Sequence, residues 1–242
     1  MNLIVDVGNT LVKIAVFQND TLVEKQTVEI SEVDDLQKNF FQDYPNIQKS
    51  ILSSVGKLPK EVLENLKNQC DVMILDANLK FPFNNLYATP NTLGVDRMAL
   101  VSASVKHHPN QNVLIIDSGS CITYDFITKD NDYLGGAISP GIRLRYKSLH
   151  DLTANLPLLD TEMPKAIIGD TTAAAIHSGV VLGIIKEIDG VIEDYRENYS
   201  DLTVILTGGD AIFLSKQLKN SIFANSNFLL EGLNFILEYN TH

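Results

Sequence analysis

The chain has 242 residues, 45% of them hydrophobic, and 30 acidic against 19 basic side chains give a formal net charge of -11. Such apolar content fills the core of one large domain or two small ones, while the negative charge excludes non-specific binding to nucleic acid or an anionic membrane. The cysteines, Cys70 and Cys121, lack C-x-x-C spacing, so neither a disulfide framework nor a zinc site is indicated and a reducing, cytoplasmic compartment is expected.

No signal-peptide pattern precedes the first apolar run. Residues 3–7 read as a strand interrupted only by Asp6, and residues 12–17 as a second strand alternating around Lys13. Ser31 to Asp34 has capping-box spacing in an acidic form, and Val33, Leu36, Phe40 and Phe41 follow a helical period until Pro45. A strand over 51–55, a helix opened by Pro59 with Val62, Leu63 and Leu66 on one face, and a strand over 72–75 come next. Residues 84–97, rich in Asn, Thr, Pro and Gly, form a loop that leads into a helix over 98–106.

After Pro109 the pattern restarts. A strand over 113–116, a turn at Ser118-Gly119-Ser120 and a strand over 121–127 repeat the opening of the chain. This internal repeat places a boundary near residue 110, dividing the chain into 1–110 and 111–242. Residues 134–141 read as a glycine-rich turn, and Thr171-Thr172 as the cap of a small-residue helix from 173 to about 195. Its apolar run, 173–185, is shorter than the roughly 18 residues that span a bilayer. A strand over 204–206 ends in Thr207-Gly208-Gly209-Asp210, a turn suited to an adenosine, and residues 227–239 close the chain as a helix.

The repeated element carries the chemistry. Asp6-Val7-Gly8-Asn9-Thr10 and Asp117-Ser118-Gly119-Ser120 each run an apolar strand into an aspartate, a glycine and a hydroxyl. Glycine lets the backbone approach a polyphosphate, amides and hydroxyls donate to its oxygens, and Lys13 adds a positive charge. A carboxylate repels phosphate, so Asp6 is expected to hold Mg²⁺, directly or through water, and Asp117 also needs a cation. Two such turns suggest a nucleotide held between two related halves. Gly94-Val95-Asp96-Arg97 admits two readings: Asp96 caps the following helix, or it accepts or orients a substrate hydroxyl proton while Arg97 binds an anionic group. Gly179-x-x-x-Gly183 permits close helix approach, within the chain or between copies. The histidines show no ligand spacing, and Gly56-Lys57 lacks the rest of a P-loop.

Six motifs in order, residues 6–13, 87–97, 117–125, 134–141, 169–172 and 207–209, resemble the type III pantothenate kinases, a branch of the actin-like ATPase superfamily. The resemblance covers nearly the whole chain. It implies an α/β fold of two ribonuclease-H-like halves, with mixed sheets flanked by helices and a nucleotide cleft between them. It also implies transfer of the γ-phosphoryl group of ATP, with Mg²⁺, to the primary hydroxyl of pantothenate, giving 4'-phosphopantothenate for coenzyme A biosynthesis. On this resemblance Asp6, Val7, Gly8, Asn9, Thr10, Leu11, Val12, Lys13 and Ser120 contact ATP, and Asp96 is the proton acceptor. Tyr87, Gly94, Val95, Asp96, Arg97 and Thr172 form the pantothenate pocket, Asp117 binds K⁺ or NH₄⁺, and the enzyme is a cytoplasmic homodimer. The family's usual Asp-x-Gly-Thr-Ala is here Asp117-Ser118-Gly119-Ser120-Cys121, in which Ser120 keeps the hydroxyl. The rival expectations are a non-catalytic regulatory protein of the same fold, a sugar or other small-molecule kinase, or a phosphohydrolase of the superfamily.

Overall fold

A strand that must be buried on both faces reads as an unbroken apolar run, and β1 (Asn2–Val7) is buried along its whole length. The computed structural model describes residues 1–8, 11–54 and 58–241, with Ser54 described by its backbone alone. Asn9, Thr10, Val55, Gly56, Lys57 and His242 lie outside the described residues.

β1 pairs antiparallel with β2 (Leu11–Gln18), which pairs antiparallel with β3 (Thr21–Glu29). β4 (Lys49–Ser54) and β5 (Asp71–Ile74) extend the sheet in parallel on the other side, giving the order β3-β2-β1-β4-β5. The sequence reading assigned no strand to β3. Most of its residues are exposed, so the alternation that marks a half-buried strand is weak there.

α1 (Val33–Asp43) and α2 (Lys60–Gln69) cover one face of this sheet, where Leu3, Val5, Val12 and Ile14 pack with Leu36, Phe40, Val62 and Leu66. The capping box expected at Ser31 and Asp34 is instead formed by Glu29 and Glu32, because a 3-10 turn over Ile30–Glu32 precedes α1. A two-residue strand, β6 (Asn84–Asn85), lies in the loop that follows β5. α3 (Val95–His107) starts three residues earlier than expected, with Gly94 as its N-cap.

The chain divides into two compact units, Met1–Pro109 with Asn227–His242, and Asn110–Ser226. The sequence reading placed the whole tail in the second half; the structure returns it to the first. The reason is the buried stripe of α8 (Phe228–Thr241), whose Leu230, Leu233, Ile236 and Leu237 pack with Ile4, Ala15, Phe17, Ile51 and Ala99 on the face opposite α1. Burying each such leucine or isoleucine contributes about 1.5–3 kcal/mol. A Cβ at Gly232 would lie 2.0 Å from the Ala99 carbonyl, so glycine is what lets α8 approach α3. Asn2 ties the two ends of the unit together by donating to Asn234 Oδ1 at 2.8 Å.

In the second unit β7 (Val113–Ser118), β8 (Cys121–Ile127) and β9 (Asp132–Pro140) form the antiparallel part, while β10 (Thr203–Thr207) and β11 (Phe223–Ala224) add in parallel beyond β7. The order β9-β8-β7-β10-β11 repeats β3-β2-β1-β4-β5 strand for strand. Residues 134–141, read as a turn, belong mostly to β9. Their glycines serve close strand approach, since a Cβ at Gly136 would lie 1.7 Å from the Tyr124 carbonyl.

α4 (Ile142–Asp151), α5 (Thr172–His177) and α6 (Gly183–Asn198) cover one face of this sheet, and a short α7 (Ala211–Ser215) follows β10. The single helix expected from 173 to 195 is α5 and α6 joined by a π turn, Ser178–Leu182. Among the described residues no helix is long and apolar enough to cross a membrane.

Candidate active site

Asp6 ends β1, and the ladder places it directly opposite Lys13 on β2 and Ser53 on β4. Register partners on adjacent strands project to the same face. That face is the one covered further along by α3 and α8, because Ile4 and Ile51 share it. Asp6 is 6% exposed, and Lys13 Nζ stands 3.5 Å from its Oδ2, a loose ion pair. Burial pushes the Asp6 carboxyl above the ordinary carboxylate range. Lys13 pulls it down and the carboxylate of Asp96 pushes it up again.

The turn between β1 and β2 begins with Gly8, whose amide donates to the Leu11 carbonyl at 3.0 Å. A Cβ at Gly8 would sit 3.0 Å from that oxygen. Asn9 and Thr10, expected to contact ATP, lie outside the described residues. Val7 and Val12 are fully buried in the core under α1 and α2, so only their backbones are available to a ligand. Leu11 is exposed.

Asp96 occupies the first turn of α3, and its side chain does not cap the helix. Of the two readings of Asp96, the structure therefore removes the capping one. Its Oδ1 accepts from the amide of Arg97 at 3.0 Å, and a Cβ at Gly94 would collide with that oxygen at 2.4 Å. Arg97 is 5% exposed and its guanidinium lies 5.6 Å from the centre of the Tyr87 ring, a cation-π pair. Tyr87, Gly94, Val95, Asp96 and Arg97 thus belong to one loop and helix start, and Asp96 is close enough to Asp6 to perturb it.

In the second unit Asp117 stands opposite Thr123 on β8 and Thr207 on β10. Gly208 has φ +94°, and a Cβ there would meet the Ser118 carbonyl at 2.3 Å and Asp117 Oδ1 at 2.4 Å. The Gly119 amide donates to the Cys121 carbonyl at 2.9 Å and the Gly141 amide to the Ser120 carbonyl at 3.1 Å. The glycines at 141 and 208 therefore hold this turn from outside it. Ser120 and Cys121 are exposed.

Thr172 is the first residue of α5, and Thr171 is its cap, accepting from the Ala174 amide at 3.1 Å. With Leu149, Leu156, Ala175, Ile176 and Gly179 it lines a hollow of about 460 Å³. Among the described residues no three of the His, Cys, Asp and Glu side chains converge to hold a metal ion. Asp6 still fits Mg²⁺, which is commonly held by one or two carboxylates together with substrate phosphates and water.

Sequence reasoning missed Ser53. It is fully buried, and among the described residues its hydroxyl has no hydrogen-bond partner. The available signal was a pair of serines ending an apolar strand.

The type III pantothenate kinase family profile matches residues 2–194. Two curated relatives with that description, from Christiangramia forsetii and Flavobacterium johnsoniae, are 53% and 51% identical, covering 99% of this chain and 99% and 98% of their own lengths. The chain belongs to the type III pantothenate kinase family.

Solved structures agree on the architecture of this pantothenate kinase family member. A Campylobacter jejuni chain described as a conserved candidate Baf family transcriptional activator superposes with a TM-score of 0.64 at 26% identity, over 99% of this chain and 98% of that one. A ROK family glucokinase from Streptomyces griseus gives a TM-score of 0.54 at 10% identity over 99% of both chains, a likeness of fold alone.

Asp6 gives a pH-dependent prediction for the ligand-free protein. A carboxyl whose folded pKa is raised binds its proton more tightly folded than unfolded, so it destabilises the fold above that pKa and not below the unfolded value. Asp6→Asn should therefore raise the melting temperature at pH 7, with the gain shrinking as pH falls through the carboxylate range, while Mg²⁺·ATP binding weakens. Thermal melts at pH 4 and pH 7 check this, and a lower melting temperature for the variant at pH 7 contradicts it.

Proposed function

We propose that the chain is an ATP-dependent pantothenate kinase that transfers the γ-phosphoryl group of ATP to the primary hydroxyl of pantothenate, giving 4'-phosphopantothenate on the way to coenzyme A. The observation that carries this reading is a buried Asp6 beside Lys13, within electrostatic reach of Asp96 and Arg97, in a chain of this family.

The transition state for phosphoryl transfer is loose, so the protein's work is positioning and charge stabilisation. Gly8, Asn9, Thr10, Leu11 and the backbones of Val7 and Val12 cradle the phosphates, with Lys13 supplying a cation and Ser120 a hydroxyl. Asp6 would hold Mg²⁺ together with the phosphate oxygens, and the ion would supply neutralising charge for the β- and γ-phosphates. Asp96 orients the pantothenate hydroxyl and takes its proton late. Its bond to the Arg97 amide engages Oδ1 and leaves Oδ2 for that hydroxyl. Arg97, fixed against Tyr87, matches the carboxylate of pantothenate, with Gly94, Val95 and Thr172 as further substrate contacts.

Asp117 is the ligand for a monovalent cation, K⁺ or NH₄⁺, with the neutral hydroxyls of Thr123 and Thr207 as its ladder neighbours. The working form is a cytoplasmic homodimer. Ile167 and Ile168 are 69% and 82% exposed, and Leu152 83%, an apolar surface suited to a second copy. Gly179 and Gly183 present open backbone on the nearby helix.

The direct test is the formation of ADP and phosphopantothenate from ATP and pantothenate with Mg²⁺. Asp96→Asn should lower kcat by about 10²–10⁴-fold, the usual worth of a positioned acid-base group, with ATP affinity nearly unchanged. Equal turnover contradicts the role of Asp96, and transfer to sugars but not pantothenate contradicts the substrate. In the same assay Na⁺ in place of K⁺ should lower wild-type activity, and Asp117→Ala should erase the difference; equal wild-type rates in both salts contradict the cation site. Sedimentation should give twice the 26.8 kDa chain mass, and Ile168→Asp should shift it toward the monomer. A monomeric wild type at assay concentration contradicts the dimer.

A further inference from the structure

A hydroxyl sealed in a protein interior ordinarily finds a partner, since leaving it unpaired costs about 1–3 kcal/mol. Among the described residues Ser53 Oγ has none, and the residue is 0% exposed. It stands on β4 directly opposite Asp6 on β1, on the same sheet face, and the other groups acting on that carboxylate are Lys13 at 3.5 Å and the repelling carboxylate of Asp96. Ser53 is therefore the neutral donor beside a buried anion.

Its position two strands from Lys13, with Asp6 between them, brackets the carboxylate from its two neighbouring strands. We propose that Ser53 is a positioning residue of the phosphate site, its hydroxyl donating to the Asp6 carboxylate when Mg²⁺·ATP is bound and so fixing the oxygen that faces the cation. The proposal rests on the kinase reading. Without ligand the hydroxyl is an unsatisfied group, and with ligand it makes a charge-assisted hydrogen bond, so its contribution is to binding rather than to folding.

Ser50 provides a matched control. It lies on the same strand and is also 0% exposed, with its hydroxyl beside the Cys70 thiol. It stands opposite Leu3 instead of Asp6, an odd number of residues from Ser53 and hence on the other face of the sheet.

The experiment is calorimetric titration of wild type, Ser53→Ala and Ser50→Ala with Mg²⁺·ATP and with ATP in EDTA, alongside melts of the ligand-free proteins. Ser53→Ala should bind Mg²⁺·ATP about tenfold more weakly, the worth of one hydrogen bond to a charged group, and bind metal-free ATP as wild type does. Its ligand-free melting temperature should stay level or rise. Ser50→Ala should bind like wild type. Wild-type Mg²⁺·ATP affinity in Ser53→Ala overturns the proposal, as does an equal loss in Ser50→Ala or a lowered ligand-free melting temperature for Ser53→Ala. Should Ser53→Ala fail to fold, Ser53→Cys keeps the volume with a weaker donor, and its affinity should fall below wild type; full affinity there also overturns the assignment. Absence of Mg²⁺·ATP binding by the wild type would instead overturn the kinase reading itself.

Discussion

A carboxylate buried at the end of a central strand is stable only in company, and in this chain that company is incomplete. Asp6 has a lysine at 3.5 Å and a second carboxylate close enough to repel it. The balance leaves the Asp6 carboxyl harder to ionise than one in water. The rest of the first unit makes this possible. β1 is clamped between two helical layers, and a strand packed on both faces does not shift to relieve one charged residue.

The second unit repeats the same five-strand order and the same aspartate at the end of its central strand, but its ladder neighbours differ. Where Asp6 faces a lysine and a serine, Asp117 faces two threonines. A lysine beside the carboxylate suits a polyanion that arrives with its own cation. Two neutral hydroxyls suit a cation that arrives alone. One duplicated framework thus surrounds its two aspartates differently, and the difference lies in ladder neighbours rather than in strand order.

Much of this was legible in the chain itself, for reasons that are physical. β1 and β7 are buried along most of their length and therefore read as continuous apolar runs carrying an aspartate near the end, so the repeat could be found without coordinates. What stayed hidden had no local signature. β3 is an exposed strand whose polar residues resemble a loop, and residues 134–141 look like a turn because glycines that permit strand contact are indistinguishable in sequence from glycines that bend a chain. α8 was recognisable as a helix, but its membership in the first unit depends on Ala99 and Ile4, far away along the chain. The beginning of α3 was misplaced because Gly94, and not the side chain of Asp96, occupies the cap. Ser53 could not be singled out, since its meaning comes from the register that sets it opposite Asp6.

Asp6 held ready for a cation-bearing nucleotide is the central element of the proposed kinase site. Carboxyl-carbon NMR of Asp6 across a pH titration, with and without Mg²⁺·ATP, tests this most directly. The account predicts a midpoint above the ordinary carboxylate range in the free protein that falls when Mg²⁺·ATP binds. A midpoint that is ordinary in the free protein and unmoved by Mg²⁺·ATP would contradict it.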